Sequence, residues 1–224
     1  MFTIAMIGQK GGTGKTTAAI GLAVEAARNG EDVVLIDLDQ QATAANWKDR
    51  RKKDDLVVTS IQPSRLEHTL ALCAENGAGL VIIDTPGKST DVSVKACRAA
   101  DLVLIPAKEQ IFESETLEAV RDILRLAGDP PAYVLVNRVH PQATKSADAV
   151  KHLIAEKSGL RVCPVHLSRR DIFEQAPAAG QSAQEIDLDS AASRELSALY
   201  KFTSQHVNKS MGARREQKES RKPR

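Results

Sequence analysis

A chain of 224 residues with 42% apolar residues, 27% charged residues and a net charge of +2 has ordinary globular composition and is long enough for one sizeable core. No apolar run approaches the roughly 18–20 residues of a membrane span. Met1–Gly8 lacks a basic leader and reads as a first strand rather than a signal peptide. Cys73, Cys97 and Cys163 lie far apart without CxxC spacing, which argues against a disulfide framework or a zinc site and leaves reduced, buried thiols.

Aromatic residues make up only 3%, so the core must be built from Val, Ile, Leu and Ala. In chain order, the pattern predicts a strand over Phe2–Ile7, a helix over Thr16–Asn29 closed by Gly30, and a strand over Val33–Asp37. A strand over Leu56–Ile61, a helix over Pro63–Glu75 and an apolar strand over Leu80–Asp84 follow, then a helix over Val92–Ala99 and a strand over Leu102–Ile105. Glu113–Leu126 reads as an amphipathic helix stopped by Gly128 and the Pro130-Pro131 pair. Ala132–Val136, Thr144–Lys157 and Arg161–His166 continue the alternation, and a last helix spans Ser190–Val207.

Strands alternating with helices imply a single α/β domain: a mainly parallel, twisted β-sheet flanked by helices on both faces. Ligands of such sheets sit at the carboxyl ends of the strands. Asp37 and Asp84 each close a strand, and a glycine-rich loop follows the first strand, so three segments converge on one crevice.

That loop reads Gly8-Gln9-Lys10-Gly11-Gly12-Thr13-Gly14-Lys15-Thr16-Thr17. Its glycines let consecutive backbone N–H groups wrap phosphate oxygens, and the helix opening at Thr16 adds its positive end. Lys15 supplies a point charge for the phosphates, and the Thr16 hydroxyl is placed to ligate Mg2+. Gln9 stands where the strict phosphate-loop pattern has glycine, and Lys10 is a second lysine that the strict pattern does not require.

With Lys10 counted, the segment resembles the deviant Walker A motif, xKGGxGK[ST], of the ParA/MinD family of P-loop NTPases, and in particular the short ParA-type partition ATPases. The resemblance implies ATP as the nucleotide, held by Gly11, Gly12, Thr13, Gly14, Lys15, Thr16 and Thr17. It implies that Lys10 reaches across an ATP-bound homodimer to the partner's phosphates while Lys15 serves its own subunit. Val34–Gln41 matches the family's D-x-D-P-Q motif with Gln40 in place of Pro. By resemblance, Asp39 positions the attacking water and Asp37 supports the metal shell. Leu80–Gly87 has the form of a Walker B strand, its Asp84 binding Mg2+ through water. Asn137, at a strand end, is the expected adenine reader.

Arg169 and Arg170 resemble the family's DNA-contacting segment, although the relatives' further Arg near Ser190 is matched here by Ala191. The implied function is DNA partition: non-specific DNA binding in the ATP state, released when a ParB-like centromere-binding partner stimulates hydrolysis, in the cytoplasm at the nucleoid. A runner-up is a positioning ATPase with an adaptor for a protein cargo such as a microcompartment or chemoreceptor cluster. A third reading is a membrane-acting division regulator.

The chain begins at its first strand, so an N-terminal helix-turn-helix domain is not expected. Residues 1–208 read as the ATPase domain and 209–224 as a basic, disordered tail. The tail holds seven Lys or Arg against two Glu, leaving the body at −3. It has Met211 and Ala213 but no Leu, Ile, Phe or Trp, which argues against an amphipathic membrane anchor. With the body acidic, the tail is the expected source of much of the DNA attraction.

Overall fold

The computed structural model describes residues 1–108, 114–141 and 144–220. Seven strands form one sheet: β1 (Phe2–Met6), β2 (Val33–Asp37), β3 (Val57–Ser60), β4 (Leu80–Asp84), β5 (Leu102–Lys108), β6 (Ala132–Val139) and β7 (Arg161–Ser168). Their order is β3-β2-β4-β1-β5-β6-β7, and every pairing is parallel. The helices are α1 (Lys15–Arg28), α2 (Thr43–Arg50), α3 (Leu66–Glu75), α4 (Thr90–Ala99), α5 (Ser114–Leu126), α6 (Thr144–Ser158), α7 (Ile172–Gln175), α8 (Ala183–Ile186) and α9 (Ala191–Ser220).

Alternation along each strand builds two cores, one per face of the sheet. Ile4, Met6, Leu35, Ile82 and Leu104 pack with Ala and Leu side chains of α1 and α9 on one face. Ala5, Ile7, Ile36, Ile83 and Val103 pack against α3, α4, α5 and α6 on the other. Gly21 allows the closest approach within the first layer, since a Cβ there would lie 2.6 Å from Leu196 Cδ2. Cys73, Cys97 and Cys163 are free and buried, and burial pushes the Cys97 and Cys163 thiols up to about 12.

Three strands outrun their apolar stretches: β5 extends to Lys108, β6 to Val139 and β7 to Ser168. Pro106 does not end β5. The last β1 pairing is Met6↔Leu104, so the proline's missing N–H falls on the side where β1 has already given way to its loop.

The largest difference from the sequence reading is α9, whose backbone stays helical past Lys209 to Ser220, where irregular backbone is expected. The segment is rich in Arg, Lys and Glu, all good helix formers. The missing apolar face removes a packing surface, not the propensity. Residues 221–224 lie outside the described residues.

Candidate functional site

The carboxyl ends of β1, β2 and β4 open into a crevice of about 770 Å3 lined by Gly11, Gly12, Lys15, Thr16, Asp39 and Gly87 among others. The loop after β1 takes left-handed backbone at Gly12 (φ 68°) and Gly14 (φ 91°), the kind of conformation in which successive N–H groups can face one anion. Gly14 admits no side chain, because a Cβ there would lie 2.1 Å from Asn137 Nδ2. Asn137 fills that space and donates from Nδ2 to the Thr13 carbonyl at 2.7 Å. Its Oδ1 accepts from the Arg138 N–H at 2.8 Å. The residue expected to read adenine therefore braces the phosphate loop from below.

Lys15, which opens α1, is only 7% exposed. Burial pulls its ammonium below the ordinary lysine range, with Asp84 and Asp39 opposing. Thr16 Oγ1 donates to Asp84 Oδ2 at 2.6 Å. The other oxygen, Asp84 Oδ1, is buried with no hydrogen-bond partner among the described residues. Burial pushes this carboxyl up to about 7 against the Thr16 bond, and the neighbouring Asp37 charge adds to the rise. A buried carboxylate with one open oxygen beside a threonine hydroxyl fits a hydrated magnesium ion. Thr16 and Asp84 are the residues that would hold it.

Asp37 and Asp84 are register partners on β2 and β4, yet they are differently engaged. Asp37 Oδ1 accepts from the Asp39 N–H at 2.9 Å. Its Oδ2 accepts from the Ala44 and Ala45 N–H groups at 2.8 and 3.4 Å. The fully buried Asp37 thus holds the first turn of α2 and fixes the backbone of Asp39. Burial raises its pKa, and those three backbone bonds work against the rise. Asp39 is half-buried, accepts from the Gln41 N–H at 3.0 Å, and lines the crevice.

Gly87 closes the crevice on the β4 side. A Cβ there would lie 3.0 Å from Gly11 N and 3.2 Å from the carbonyl carbon of Lys10. The loop after β4 therefore touches the phosphate loop backbone to backbone. Thr85, two residues earlier, anchors it by donating to the Met6 carbonyl at 2.8 Å. Lys10 itself is half-buried.

The two arginines after β7 part company. Arg169 is exposed, whereas Arg170 Nη2 pairs with Glu195 Oε1 at 2.8 Å. Both line a smaller hollow that reaches Gly14, Thr17 and Asn137.

Sequence reading missed α2 and what holds it. Trp47 Nε1 donates to the Gln181 carbonyl at 2.9 Å, and Arg50 Nε to the Pro177 carbonyl at 3.1 Å. The Arg51 side chain is 1% exposed. It forms a two-pronged pair with Asp55 at 2.6 and 2.9 Å and bonds Glu185 at 2.7 and 2.9 Å. Its guanidinium also lies 4.9 Å from the Trp47 ring centroid. Ala44 and Trp47, three residues apart and both buried, are the only helical signal the sequence offered here.

The CobQ/CobB/MinD/ParA nucleotide binding domain matches this chain over residues 4–183. The chain belongs to the ParA/MinD family. Within the family it is 28% identical over 222 residues to the chromosome-partitioning ATPase Soj of Thermus thermophilus, covering 80% of this chain and 86% of that protein. It is 30% identical over 158 residues to the maintenance of carboxysome distribution protein A of Gloeobacter kilaueensis, covering 69% and 71%. The septum site-determining protein MinD from Pyrococcus horikoshii, complexed with Mg-ADP, has the same fold, with a TM-score of 0.72 at 15% identity over 89% of this chain and 94% of that one. None of the described helices is long and apolar enough to cross a membrane.

Proposed function

We propose that this ParA/MinD-family chain is a magnesium-dependent ATPase that partitions DNA as an ATP-bound homodimer. The observation that carries the chemistry is Asp84, with one oxygen on Thr16 and the other buried and without a partner among the described residues, beside the glycine-rich loop. In this reading Gly11–Thr17 cradles the phosphates, Lys15 neutralises them, and Thr16 and Asp84 hold the ion. Magnesium, when bound, supplies charge neutralisation at the β- and γ-phosphates. Asp39 orients the attacking water, and Asp37 serves the metal shell indirectly by fixing Asp39. Lys10 serves the partner subunit's phosphates. Asn137 borders the base while bracing the loop.

DNA binding falls to Arg169 and to the basic tail, because Glu195 already neutralises Arg170. A ParB-like partner would stimulate hydrolysis and release the dimer, placing the protein at the nucleoid. A second reading, positioning of a protein cargo through an adaptor, draws on the carboxysome-distribution relative; its nucleotide chemistry is the same.

ATP turnover and sedimentation of the purified chain test the proposal. Lys15→Ala should bind no ATP, and Asp39→Ala should accumulate as an ATP-bound dimer that sediments with DNA. Asp39→Ala turning over at the parental rate would remove Asp39 from the reaction. Deleting residues 209–224 should weaken DNA binding and leave turnover intact; unchanged DNA affinity would remove the tail from that role.

A further inference from the structure

Lys108 belongs to none of the motifs above, yet it ends β5 beside the phosphate loop. The end of β5 tracks that loop at two points. The Pro106 carbonyl lies 3.9 Å from where a Cβ at Gly8 would be, and Lys108 Nζ lies 3.7 Å from where a Cβ at Gly12 would be. In the sheet Lys108 is the register partner of Asn137, which braces the same loop at Thr13. Two adjacent strand ends thus flank the loop, one bearing an amide against its carbonyl and the other an ammonium over its glycine.

The ammonium is the unexpected member. A run of inward backbone N–H groups is itself electropositive, and a lysine held over it is opposed electrostatically until an anion lies between them. Lys108 is half-buried and has no ion-pair partner among the described residues, so none of their carboxylates explains its position. Gly12, with φ 68° and no side chain, leaves the space that a phosphate-directed ammonium needs. Lys15 lines the crevice from the α1 side of the loop.

We propose that Lys108 is a third phosphate-binding lysine, gripping the phosphate chain of the subunit's own nucleotide from the β5 side of the loop. The proposal rests on the nucleotide reading above and adds a residue to it. A charge-assisted bond to phosphate should be reflected in the affinity for ADP as well as ATP, and not for adenosine.

Titration calorimetry with ATP, ADP and adenosine on Lys108→Gln, Lys108→Arg and Lys15→Ala separates the cases. Lys108→Gln should weaken ATP and ADP roughly tenfold or more, Lys108→Arg should restore most of the loss, and adenosine should be unaffected by either. Unchanged ATP affinity in Lys108→Gln, with binding lost in Lys15→Ala, would overturn the proposal and leave the nucleotide site intact. Full ATP binding by Lys15→Ala would overturn both.

A second measurement needs no substitution. ADP, which does not require the dimer, should slow acetylation of Lys108 by an amine-reactive reagent while exposed Lys52 reacts at its usual rate. Equal labelling of Lys108 with and without saturating ADP would also overturn the proposal.

Discussion

Two clusters of charge lie on either side of α2, and they are built on opposite terms. In the crevice, Lys15 and Asp84 are buried in surroundings that push each toward its neutral form, and one carboxylate oxygen has no partner among the described residues. Beyond α2, Arg51 is equally buried, but Asp55 and Glu185 meet it with four short bonds. There burial again opposes charge, and the bonds outweigh it: Arg51 is held above its ordinary range and Glu185 below. A cluster that completes itself serves the fold. One left incomplete, at the cost of desolvating its charges, is built for something that arrives later.

The contrast can be broken most forcefully at Arg51. Arg51→Met leaves the buried Glu185 with exposed Lys53 as its remaining cation, and removing one member of a buried pair costs about 3–5 kcal/mol; thermal unfolding should show it, while ATP affinity falls only as far as stability does. Lys15→Ala should do the reverse. Nucleotide affinity should drop roughly a hundredfold or more, in line with charge-assisted bonds of about 1.5–3 kcal/mol each. Its melting temperature without nucleotide should hold or rise, since a desolvated charge is gone. An equal loss of stability in both variants would erase the distinction between the clusters.

Asp84→Asn sharpens it further. Magnesium should increase ATP affinity in the parent and have little effect in the variant, and chelation with EDTA should bring the two together. At Gly87→Ala, the new methyl meets the Gly11 backbone, and overpacking of this kind costs about 1–3 kcal/mol. Nucleotide binding should suffer more than folding, because the displaced group is the phosphate loop.

The smallest effect is with pH. The Asp55 carboxyl is lowered chiefly by its bond to Arg51. Glu185 is lowered despite burial, through its bonds to Arg51 and Lys53. Acids that ionise more readily in the folded chain contribute stability that is complete above their ordinary range and lost as pH falls through the lowered values. Amide exchange in α2 should therefore accelerate below about pH 4, near the ordinary carboxylate range, before the central strands open.

Much of this was legible because it is local. The phosphate loop, Asp37 and Asp84 each occupy short contiguous patterns, and the strands that carry the two aspartates are uninterrupted apolar runs ending in Asp. The Arg51 cluster was not legible, since Arg51 and Glu185 are 134 residues apart and a run such as Lys48–Lys53 looks like a solvated surface. Only the position of Asn137 was legible: its strand-end place is visible in sequence, whereas the 2.7 Å bond to Thr13 depends on β6 lying two strands from β1. The helical extension past Lys209 was missed by equating a missing apolar face with a missing helix.

Trp47 carries a consequence of its own. It is the sole tryptophan, is fully buried, and sits on the short helix whose first turn hangs from Asp37 and whose indole is tethered to Gln181. Its emission is therefore a single-site optical gauge of whether the nucleotide-side aspartates and the Pro177–Glu185 segment move together. A nucleotide-driven shift of α2 would change the colour and quenching of one fluorophore, with no label attached and no second indole to subtract.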